Sequence, residues 1–217
     1  MKKTFQAEKW SGTFGRDYTS RNPYTFEDTE TLNNKKFGVP RTTMNTEFIG
    51  TFPRDTRILE VGSNVGAQLI VLQRMGFTEL YGIELQPGVV EFSKTVTKGI
   101  SIIKGSALDI PFKDGYFNLV FTSGVLIHIA PDDLSTAMGE IYRVSGRYIW
   151  GFEYFAEELT EIDYRGEKNL LWKANYPQIY MGHFSDLSLV KEKKYKYTMN
   201  DNVDQMFLLQ KRVAGDK

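Results

Sequence analysis

The segment Glu60-Val-Gly62-Ser63-Asn64-Val-Gly66 has the residue types and spacing of a nucleotide-binding turn. Glycines in such a turn let backbone N–H groups approach a ligand closely, and a helix that follows adds a partly positive N-terminus. A dinucleotide site has a further glycine at the position of Asn64, where the backbone touches a pyrophosphate. The segment therefore predicts a nucleoside ligand that lacks a diphosphate.

Glu84 is the second candidate ligand-binding residue, because it follows the glycine turn at a distance that suits a ribose. In nucleotide-binding folds a carboxylate about 20 residues after the turn accepts hydrogen bonds from the ribose hydroxyls. Hydrogen bonds to a charged acceptor are worth about 1.5 to 3 kcal/mol each. We therefore expect Glu84 to hold an adenosine ribose, and the alternative is a solvated loop acid.

Two later segments are expected to complete the pocket. Gly105-Ser106-Ala107-Leu108 follows a third apolar run and would present a backbone amide and small side chains to an adenine edge, with Leu85 over one face of the ring. The run from Phe117 to Thr122 ends in small residues, which leave room above the carboxyl edge of a sheet. Ligands of open α/β sheets bind at that edge.

The segments that carry these residues alternate between apolar runs of strand length and helical patterns, from about residue 57 to residue 152. This alternation is typical of βαβ units and a parallel sheet. We expect strands at 57–61, 80–84, 100–103, 117–122 and 147–152, and helices at 67–75, from 87 onward and at 131–144. Two further strands, 187–198 and 203–212, are joined by a short turn and predict an antiparallel hairpin that closes the sheet.

The first fifty residues form a helical or irregular arm. Trp10, Phe14 and Tyr18 recur at a spacing of four and would share one face of a helix. That aromatic face would either pack on the sheet or cover the ligand. From residue 153 to residue 184 the chain is aromatic and charged without a clean period, which indicates short helices and loops beside the site.

Composition excludes several classes of protein. The 217 residues include 27 basic and 27 acidic side chains, so no global positive field favours a nucleic acid. The absence of cysteine excludes disulfides and thiolate metal sites, and no metal ion is expected. No apolar run reaches membrane-spanning length and the polar start lacks a signal-peptide core, so we expect a soluble, cytoplasmic protein with no membrane partner. The basic run Lys191 to Lys196 is typical of a protected edge strand.

Together these motifs resemble those of the class I S-adenosylmethionine-dependent methyltransferases. Glu60, Gly62 and Gly66 match the family's acidic and glycine positions after the first strand, and Glu84 matches its ribose-binding acid. Ser106 stands where many members have an aspartate that binds the adenine amino group, and either the Ser106 hydroxyl or Asp109 would take that part. The resemblance implies a Rossmann-like α/β fold with a mostly parallel seven-stranded sheet, flanking helices and an antiparallel C-terminal hairpin.

A narrower resemblance lies outside that core. The segments from Trp10 to Asn22, from Glu153 to Phe155, from Tyr164 to Gly166 and from Leu171 to Lys173 are similar to small methylases associated with pseudaminic-acid biosynthesis. This likeness implies a small-molecule acceptor that is a sugar or nucleotide sugar, and hence carbohydrate biosynthesis. The chain would then be one methyltransferase domain, 1–217, with an arm at 1–50, a cofactor-binding core at 55–152 and an acceptor-side cover with the closing hairpin at 153–217.

The resemblance and the residue types together give a set of expected contacts. Arg21 and Asn22 would bind the methionyl carboxylate of the cofactor or an acidic acceptor, and Arg165 an acidic sugar or phosphate, unless these arginines form ordinary ion pairs. Asn22, Tyr154 and Arg165 are the expected acceptor-binding residues. The residues expected at the cofactor are Tyr18, Arg21, Glu60, Gly62, Ser63, Asn64, Gly66, Glu84, Leu85, Ser106, Ala107, Leu108 and Thr122.

Methyl transfer to an alcohol profits from a positioned proton acceptor, whereas a neutral amine attacks without one. The candidate acceptors are His183, Glu153 and His128, with solvent as a further route. In the family that the sequence resembles, the residue at the position of His128 commonly forms the loop wall beneath the cofactor. The alternative role for Glu153 is that of a structural cap. We therefore predict methyl transfer to oxygen or nitrogen of a small polar acceptor.

Two other functions compete with methyl transfer. One is a catalytically silent module that binds S-adenosylmethionine and acts as a regulator or scaffold. Such a module would bind the cofactor but would methylate no amine, sugar or nucleotide sugar. The other is a nicotinamide oxidoreductase on a related sheet, which Asn64 disfavours because that position would meet the diphosphate.

Overall fold

The computed structural model describes residues 4–22 and 24–212. Its eight α-helices in that part of the chain are α1 (Phe5–Ser11), α2 (Thr13–Arg21), α3 (Phe26–Phe37), α4 (Arg41–Ile49), α5 (Ala67–Arg74), α6 (Pro87–Val96), α7 (Pro131–Val144) and α8 (Tyr176–His183). The strands are β1 (Ile58–Val61), β2 (Leu80–Glu84), β3 (Ser101–Lys104), β4 (Phe117–Ser123), β5 (Ser145–Tyr154), β6 (Thr160–Glu161), β7 (Trp172–Lys173), β8 (Leu187–Lys196) and β9 (Val203–Lys211).

Seven of these strands form one sheet in the order β3-β2-β1-β4-β5-β9-β8. The first five pair in parallel, and β9 runs antiparallel to both β5 and β8. The chain order reverses between β1 and β4, so the carboxyl ends of these two strands border the crevice where open α/β sheets bind ligands. The predicted fold class, a mostly parallel sheet closed by an antiparallel hairpin, is confirmed.

Apolar side chains on both faces of the sheet fix this arrangement. Every residue of β1 is buried, as expected for a central strand covered on both sides. Helices α7 and α8 pack against one face through Met138, Ile141 and Tyr180, and α4 and α5 pack against the other through Phe48 and Leu72. The middle strands are therefore rigid elements, and side chains at their ends are held in place by the core.

Helix α7 illustrates how local sequence sets the bounds of an element. Pro131 lies at its first turn, where the missing N–H costs nothing, and Asp132 and Asp133 lie in the same turn near the positive end of the helix dipole. The buried positions Leu134, Met138 and Ile141 recur at helical spacing. The helix covers Pro131–Val144, the range that the sequence predicts.

The aromatic arm differs from the prediction of one continuous helix. Gly12 separates α1 from α2 in an extended conformation, so Trp10 lies on the first helix while Phe14 and Tyr18 lie on the second. The three side chains nevertheless meet, because the Trp10 ring packs edge-on at 5.2 Å from Phe14 and 5.1 Å from Tyr18. The turn at Gly12, rather than a shared helical face, brings the rings together.

The segment after β5 contains more regular structure than its sequence predicts. Strands β6 and β7, only two residues each, form a separate antiparallel pair, and α8 follows them. The pair closes a loop from Ile162 to Leu171 that reaches back to the arm, where Lys9 forms an ion pair with Glu167 at 2.9 Å. Within residues 4–22 and 24–212, no helix combines the length and apolar character needed to cross a bilayer.

Candidate functional site

A cavity of about 260 Å³ opens at the carboxyl ends of β1, β2 and β4, beneath the arm. Twelve of the residues expected at a ligand or in catalysis line it. They are Tyr18, Asn22, Glu60, Gly62, Ser63, Asn64, Glu84, Leu85, Ser106, Ala107, Leu108 and His128. We call this space the first cavity.

The glycine turn after β1 brings backbone atoms to the wall of this cavity. Gly62 adopts φ 73°, and an added Cβ there would lie 2.8 Å from a methyl group of Val125. Gly66 adopts φ 88° and would place a Cβ 2.8 Å from Ile102. Because Gly66 does not line the cavity, its glycine serves the packing of α5 on the sheet, whereas Gly62 keeps the cavity wall thin.

Glu84 is fixed by backbone amides at the end of β2. One carboxylate oxygen accepts a hydrogen bond from the N–H of Asn64 at 3.0 Å, and the other accepts one from the N–H of Gln86 at 2.9 Å. Burial raises the pKa of Glu84, while these two amides act in the opposite direction. The carboxylate is thus oriented by its neighbours and lines the cavity, where it is placed to accept bonds from hydroxyl groups of a ligand.

Several buried polar atoms of the cavity-lining residues have no hydrogen-bond partner. They are Trp10 Nε1, Glu60 Oε2, Gln68 Oε1 and Gln86 Oε1. Buried polar groups are almost always satisfied in folded proteins, so a cluster of orphans beside one cavity indicates groups that a ligand satisfies. Three of these four atoms are acceptors, which suits a ligand rich in N–H and O–H donors.

The charges around the first cavity are also one-sided. Glu60, Glu84 and Asp133 line it, and no lysine or arginine does so among the residues described. Burial raises the pKa of Glu60 well above its ordinary value, and nearby Arg41 opposes that effect. A cavity with carboxylates and no cation favours a ligand that carries positive charge.

The arm forms the roof of this cavity and is attached to the glycine turn. The side-chain amide of Asn64 donates to Thr19 Oγ1 at 3.1 Å, which ties α2 to the loop after β1. Trp10, Tyr18 and Asn22 line the cavity from the same two helices. The two alternatives for the aromatic arm are packing on the sheet and covering the ligand. The structure favours the second, because the arm lies over the first cavity.

His128 lies in a 3₁₀ turn, Leu126–His128, just after β4. Its Nδ1 is 2.6 Å from the carbonyl oxygen of Leu170, and a carbonyl only accepts, so Nδ1 carries the proton. Burial lowers the pKa of His128 to about 4, which makes the imidazole neutral near pH 7 and leaves Nε2 as a free acceptor. The imidazole packs against the rings of Trp10 at 4.5 Å and Tyr164 at 5.3 Å, measured between ring centres.

A second cavity of about 190 Å³ adjoins the first. Seven residues line both, namely Tyr18, Leu32, Asn33, Gln68, Ser123, Gly124 and His128. The residues found only in the second are Lys36, Phe37, Arg41, Ile127, Phe152, Tyr154, Tyr164, Leu171 and Asp204. Together the two volumes fall within the roughly 300 to 1,000 Å³ typical of small-molecule sites, so the space suits two ligands that meet at His128.

Glu153 does not line either cavity, so its assignment as a proton acceptor is not supported. The side chain is buried, and its carboxylate accepts hydrogen bonds from the N–H groups of Val125 at 3.2 Å and Ile127 at 3.4 Å. Its carboxylate therefore caps the 3₁₀ turn that carries His128, as the structural alternative predicts. Burial raises the pKa of Glu153 to about 7.

This cap makes stability depend on pH. Because the folded-state pKa of Glu153 lies above the ordinary value of 4.5, its contribution is fully present below about pH 4.5 and is lost as the pH rises to about 7. At roughly 1.4 kcal/mol per pKa unit, the loss is at most about 3.5 kcal/mol. We expect Glu153→Gln to remove this part of the decline between pH 4.5 and 8 in urea unfolding.

The exposed neighbour Glu158 provides the matched control for that measurement. Glu158→Gln should leave the pH dependence of the unfolding free energy as it is in the unaltered protein. An equal decline in Glu153→Gln and in the unaltered protein would show that the cap does not titrate in this range.

Several other expected contacts lie outside both cavities. Arg21, Arg165 and His183 are exposed, so none is placed to bind the cofactor carboxylate, to bind an acidic sugar or to accept a proton. Thr122 is buried and its hydroxyl bonds to Glu153, so it supports the cap instead of the cofactor. Asp109 is exposed, so Ser106 is the one of the two candidates in that loop that lines the cavity.

Sequence reasoning missed other residues at the site. In the first cavity these are Gln68, Gln86 and Asp133, and in the second Lys36, Arg41 and Asp204. Gln86 follows β2 and Asp133 lies in the first turn of α7. The sequence predicts both elements, so these two positions could have been found from it. Lys36 and Arg41 lie in the arm, whose helices show no pattern that points them inward.

Comparison with known families and structures agrees with this geometry. Residues 59–147 match the family model described as "Methyltransferase domain". That segment begins in β1 and ends in β5, so it contains the glycine turn, Glu84, the Ser106 loop and His128.

Solved structures share the fold over most of the chain. A Burkholderia thailandensis 1,6-didemethyltoxoflavin-N1-methyltransferase, solved with its substrate and S-adenosylhomocysteine, aligns with a TM-score of 0.69 at 11% identity, covering 98% of this chain and 93% of its own. The magnesium protoporphyrin IX methyltransferase of Synechocystis PCC 6803 with bound S-adenosylhomocysteine gives 0.68 at 11% identity and covers 95% and 98%. The PH0226 protein of Pyrococcus horikoshii OT3 gives 0.66 at 13% identity and covers 90% and 99%.

The properties of the first cavity fit S-adenosylmethionine. Its carboxylates suit a sulfonium and an ammonium group, its unpaired acceptors suit ribose and adenine donors, and the thin wall at Gly62 suits close backbone approach. The family match over residues 59–147 and the properties of this cavity together support a methyltransferase domain whose cofactor is S-adenosylmethionine.

Proposed function

We propose that this methyltransferase transfers its methyl group to an oxygen or nitrogen atom of a small polar, sugar-related acceptor that binds in the second cavity. The observation that carries the proposal is the junction of the two cavities at His128. One cavity suits the cofactor, and the other offers tyrosine hydroxyls, aromatic faces and charged groups to a second molecule. Such a mixture of apolar walls and a few polar groups is typical of small-molecule sites.

In this proposal the first cavity positions the cofactor. Glu84 would accept bonds from the ribose hydroxyls, Leu85 and Ala107 would contact the adenine, and Glu60 would favour the positively charged end. When bound, S-adenosylmethionine supplies a methyl carbon already activated by a sulfonium. The protein therefore has mainly to align a lone pair of the acceptor with that carbon and to exclude water.

The second cavity would hold the acceptor against His128. Tyr154 and Tyr164 provide rings and hydroxyl groups, and the arm residue Tyr18 closes the junction. His128 Nε2 would take the proton of an acceptor hydroxyl, because Nδ1 is already committed to Leu170. The sugar-related identity is supported by the resemblance of the arm and of the segment around Tyr164 to methylases of carbohydrate biosynthesis.

The proposal is tested by incubating the protein with S-adenosylmethionine labelled in its methyl group and a small-molecule extract of the source cell. We expect one labelled product whose methyl group lies on an O or N atom of a polar, sugar-related compound. Labelling confined to protein or nucleic acid would refute the proposal. So would the absence of any labelled small molecule while the protein binds S-adenosylhomocysteine.

The role of Glu84 gives a separate prediction about binding. Glu84→Gln keeps the shape of the side chain but removes the charge, so we expect S-adenosylhomocysteine to bind about tenfold more weakly, or about 1.4 kcal/mol, in isothermal titration. The effect should depend on the ribose. Adenosine should lose affinity in the variant, whereas 2′,3′-dideoxyadenosine should bind both proteins equally.

The exposed Glu91 of α6 is the control for this measurement, since its side chain pairs with Lys94 at the surface. Glu91→Gln should bind both nucleosides as the unaltered protein does. An equal loss of adenosine and dideoxyadenosine in Glu84→Gln would mean that the substitution disturbs the loop instead of a ribose contact.

A further inference from the structure

The second cavity differs from the first in the sign of its charges. Two cations, Lys36 and Arg41, and one carboxylate, Asp204, line it. The first cavity has carboxylates and, among its described residues, no lysine or arginine. The two adjoining spaces thus present opposite electrostatic preferences, one for the positively charged cofactor and one for a partner of the other sign.

Arg41 is a buried cation in the wall of the second cavity. It is only 2% exposed, and its guanidinium stacks over the Phe152 ring at 4.4 Å. Nε donates to Asn45 Oδ1 at 3.0 Å and Nη2 to Ser123 Oγ at 3.3 Å. Its charge is offset in part by the nearby carboxylates of Glu60 and Asp204, and the side chain lines the second cavity.

Burial disfavours the charged form of Arg41. It lowers the pKa of Arg41 to about 10, while Glu60 and Asp204 act in the opposite direction. The guanidinium therefore remains charged near pH 7. A planar guanidinium with free N–H groups matches the two oxygens of a carboxylate or a phosphate.

Lys36 adds a second cation at the same wall. Its ammonium lies 3.5 Å from an Asp204 oxygen, a long contact, and 4.2 Å from the centre of the Tyr197 ring. Asp204 is held in turn by the Tyr197 hydroxyl, which donates to its carboxylate at 3.1 Å. Asp204 therefore orients Lys36 and offsets part of the positive charge, while Arg41 is also coupled to Glu60 in the wall of the first cavity.

We infer that the acceptor carries an anionic oxygen group, a carboxylate or a phosphate, which binds to Arg41 and Lys36 in the second cavity. This inference rests on the proposed function, since it names the chemistry of the molecule that the second cavity holds. The anion would accept hydrogen bonds from the guanidinium of Arg41 in the wall of the second cavity. It would also orient the acceptor so that its nucleophilic atom lies toward the junction at His128.

The test measures binding, so it does not depend on turnover. The protein saturated with S-adenosylhomocysteine is titrated with glucuronate, glucose 6-phosphate and glucose, three probes that differ in the anionic group. We expect at least one of the two anions to bind at least tenfold more tightly than glucose. The anion that binds distinguishes a carboxylate site from a phosphate site.

Variants identify the residues responsible. Lys36→Met and Arg41→Lys should each weaken the anion at least tenfold and change S-adenosylhomocysteine affinity less than threefold. Lys35→Met, on the exposed side of the same helix, should change neither. Lys36→Met, at a partly exposed position, provides the test if Arg41→Lys fails to fold.

Three results would overturn the inference. They are glucose binding as tightly as both anions, binding of neither anion, and full anion affinity retained in both the Lys36 and the Arg41 variants. A loss of S-adenosylhomocysteine affinity that equals the loss of anion affinity would also overturn it, because the cations would then hold the cofactor's carboxylate. Anion binding without any methyl transfer in the labelling experiment would contradict only the proposed function.

Discussion

Gly62→Arg is expected to abolish binding of S-adenosylmethionine. At this position φ is 73°, a conformation that side chains other than glycine rarely adopt, and a Cβ would lie 2.8 Å from Val125. The arginine side chain would then have to enter the first cavity or displace the loop after β4. Isothermal titration with S-adenosylhomocysteine should detect no binding, a loss of at least about 100-fold or 2.7 kcal/mol.

Two further variants separate this effect from misfolding. Gly182→Arg adds the same side chain at an exposed helical glycine with no atom within 4 Å, and it should bind the ligand normally. Gly62→Ala introduces the strained conformation and the Cβ without the long side chain, and it should bind more weakly while keeping a cooperative thermal transition. Full affinity in a folded Gly62→Arg protein would show that the cofactor does not approach this turn.

The core of the fold could be predicted because its signals are local. Apolar runs of strand length end at glycine or proline, and helix α7 has proline and acids in its first turn, so the bounds of β2 and α7 agree with the sequence. The hairpin of β8 and β9 is marked by Asn200-Asp201-Asn202 between two alternating runs. A parallel sheet then brings the ends of successive strands to one edge, which explains why Glu60, Glu84 and Ser106 were found together.

The arm and the second cavity could not be predicted in the same way. Lys36 and Arg41 meet Asp204 across more than 160 positions of sequence, and no period in α3 or α4 distinguishes these side chains from exposed ones. Gly12 breaks the helix that the spacing of Trp10, Phe14 and Tyr18 suggests, yet the rings still meet. Such contacts depend on how whole elements dock, which a local pattern does not encode.

The errors at Glu153 and His183 have a common physical cause. Both residues have chemistry suited to proton transfer, and both lie near the end of an element, Glu153 in β5 and His183 in α8. The direction of a side chain decides its role, however. The Glu153 carboxylate accepts hydrogen bonds from backbone N–H groups at the 3₁₀ turn, whereas His183 is exposed on α8. Residue type therefore identified the candidates, and only the backbone geometry separated them.

His128→Asn is expected to reduce turnover of a hydroxyl acceptor about 100-fold, near the low end of the range for general base catalysis. The asparagine amide can donate to the Leu170 carbonyl as Nδ1 does at 2.6 Å, but it lacks the acceptor that Nε2 provides. The low end applies because a base with a pKa of about 4 is fully deprotonated near pH 7 yet removes a proton weakly. The measurement compares kcat for the product identified by methyl labelling with the affinity for S-adenosylhomocysteine, which should change less than threefold.

His183→Asn is the matched control, because it makes the same change at the exposed histidine of α8. It should leave kcat and cofactor affinity as they are in the unaltered protein. A kcat within threefold of normal in His128→Asn would contradict the role of His128 as a base, and with a nitrogen product it would indicate an acceptor amine that attacks unaided. A parallel loss of kcat and of cofactor affinity would instead assign His128 to the wall of the first cavity, since the residue would then act on binding and chemistry alike.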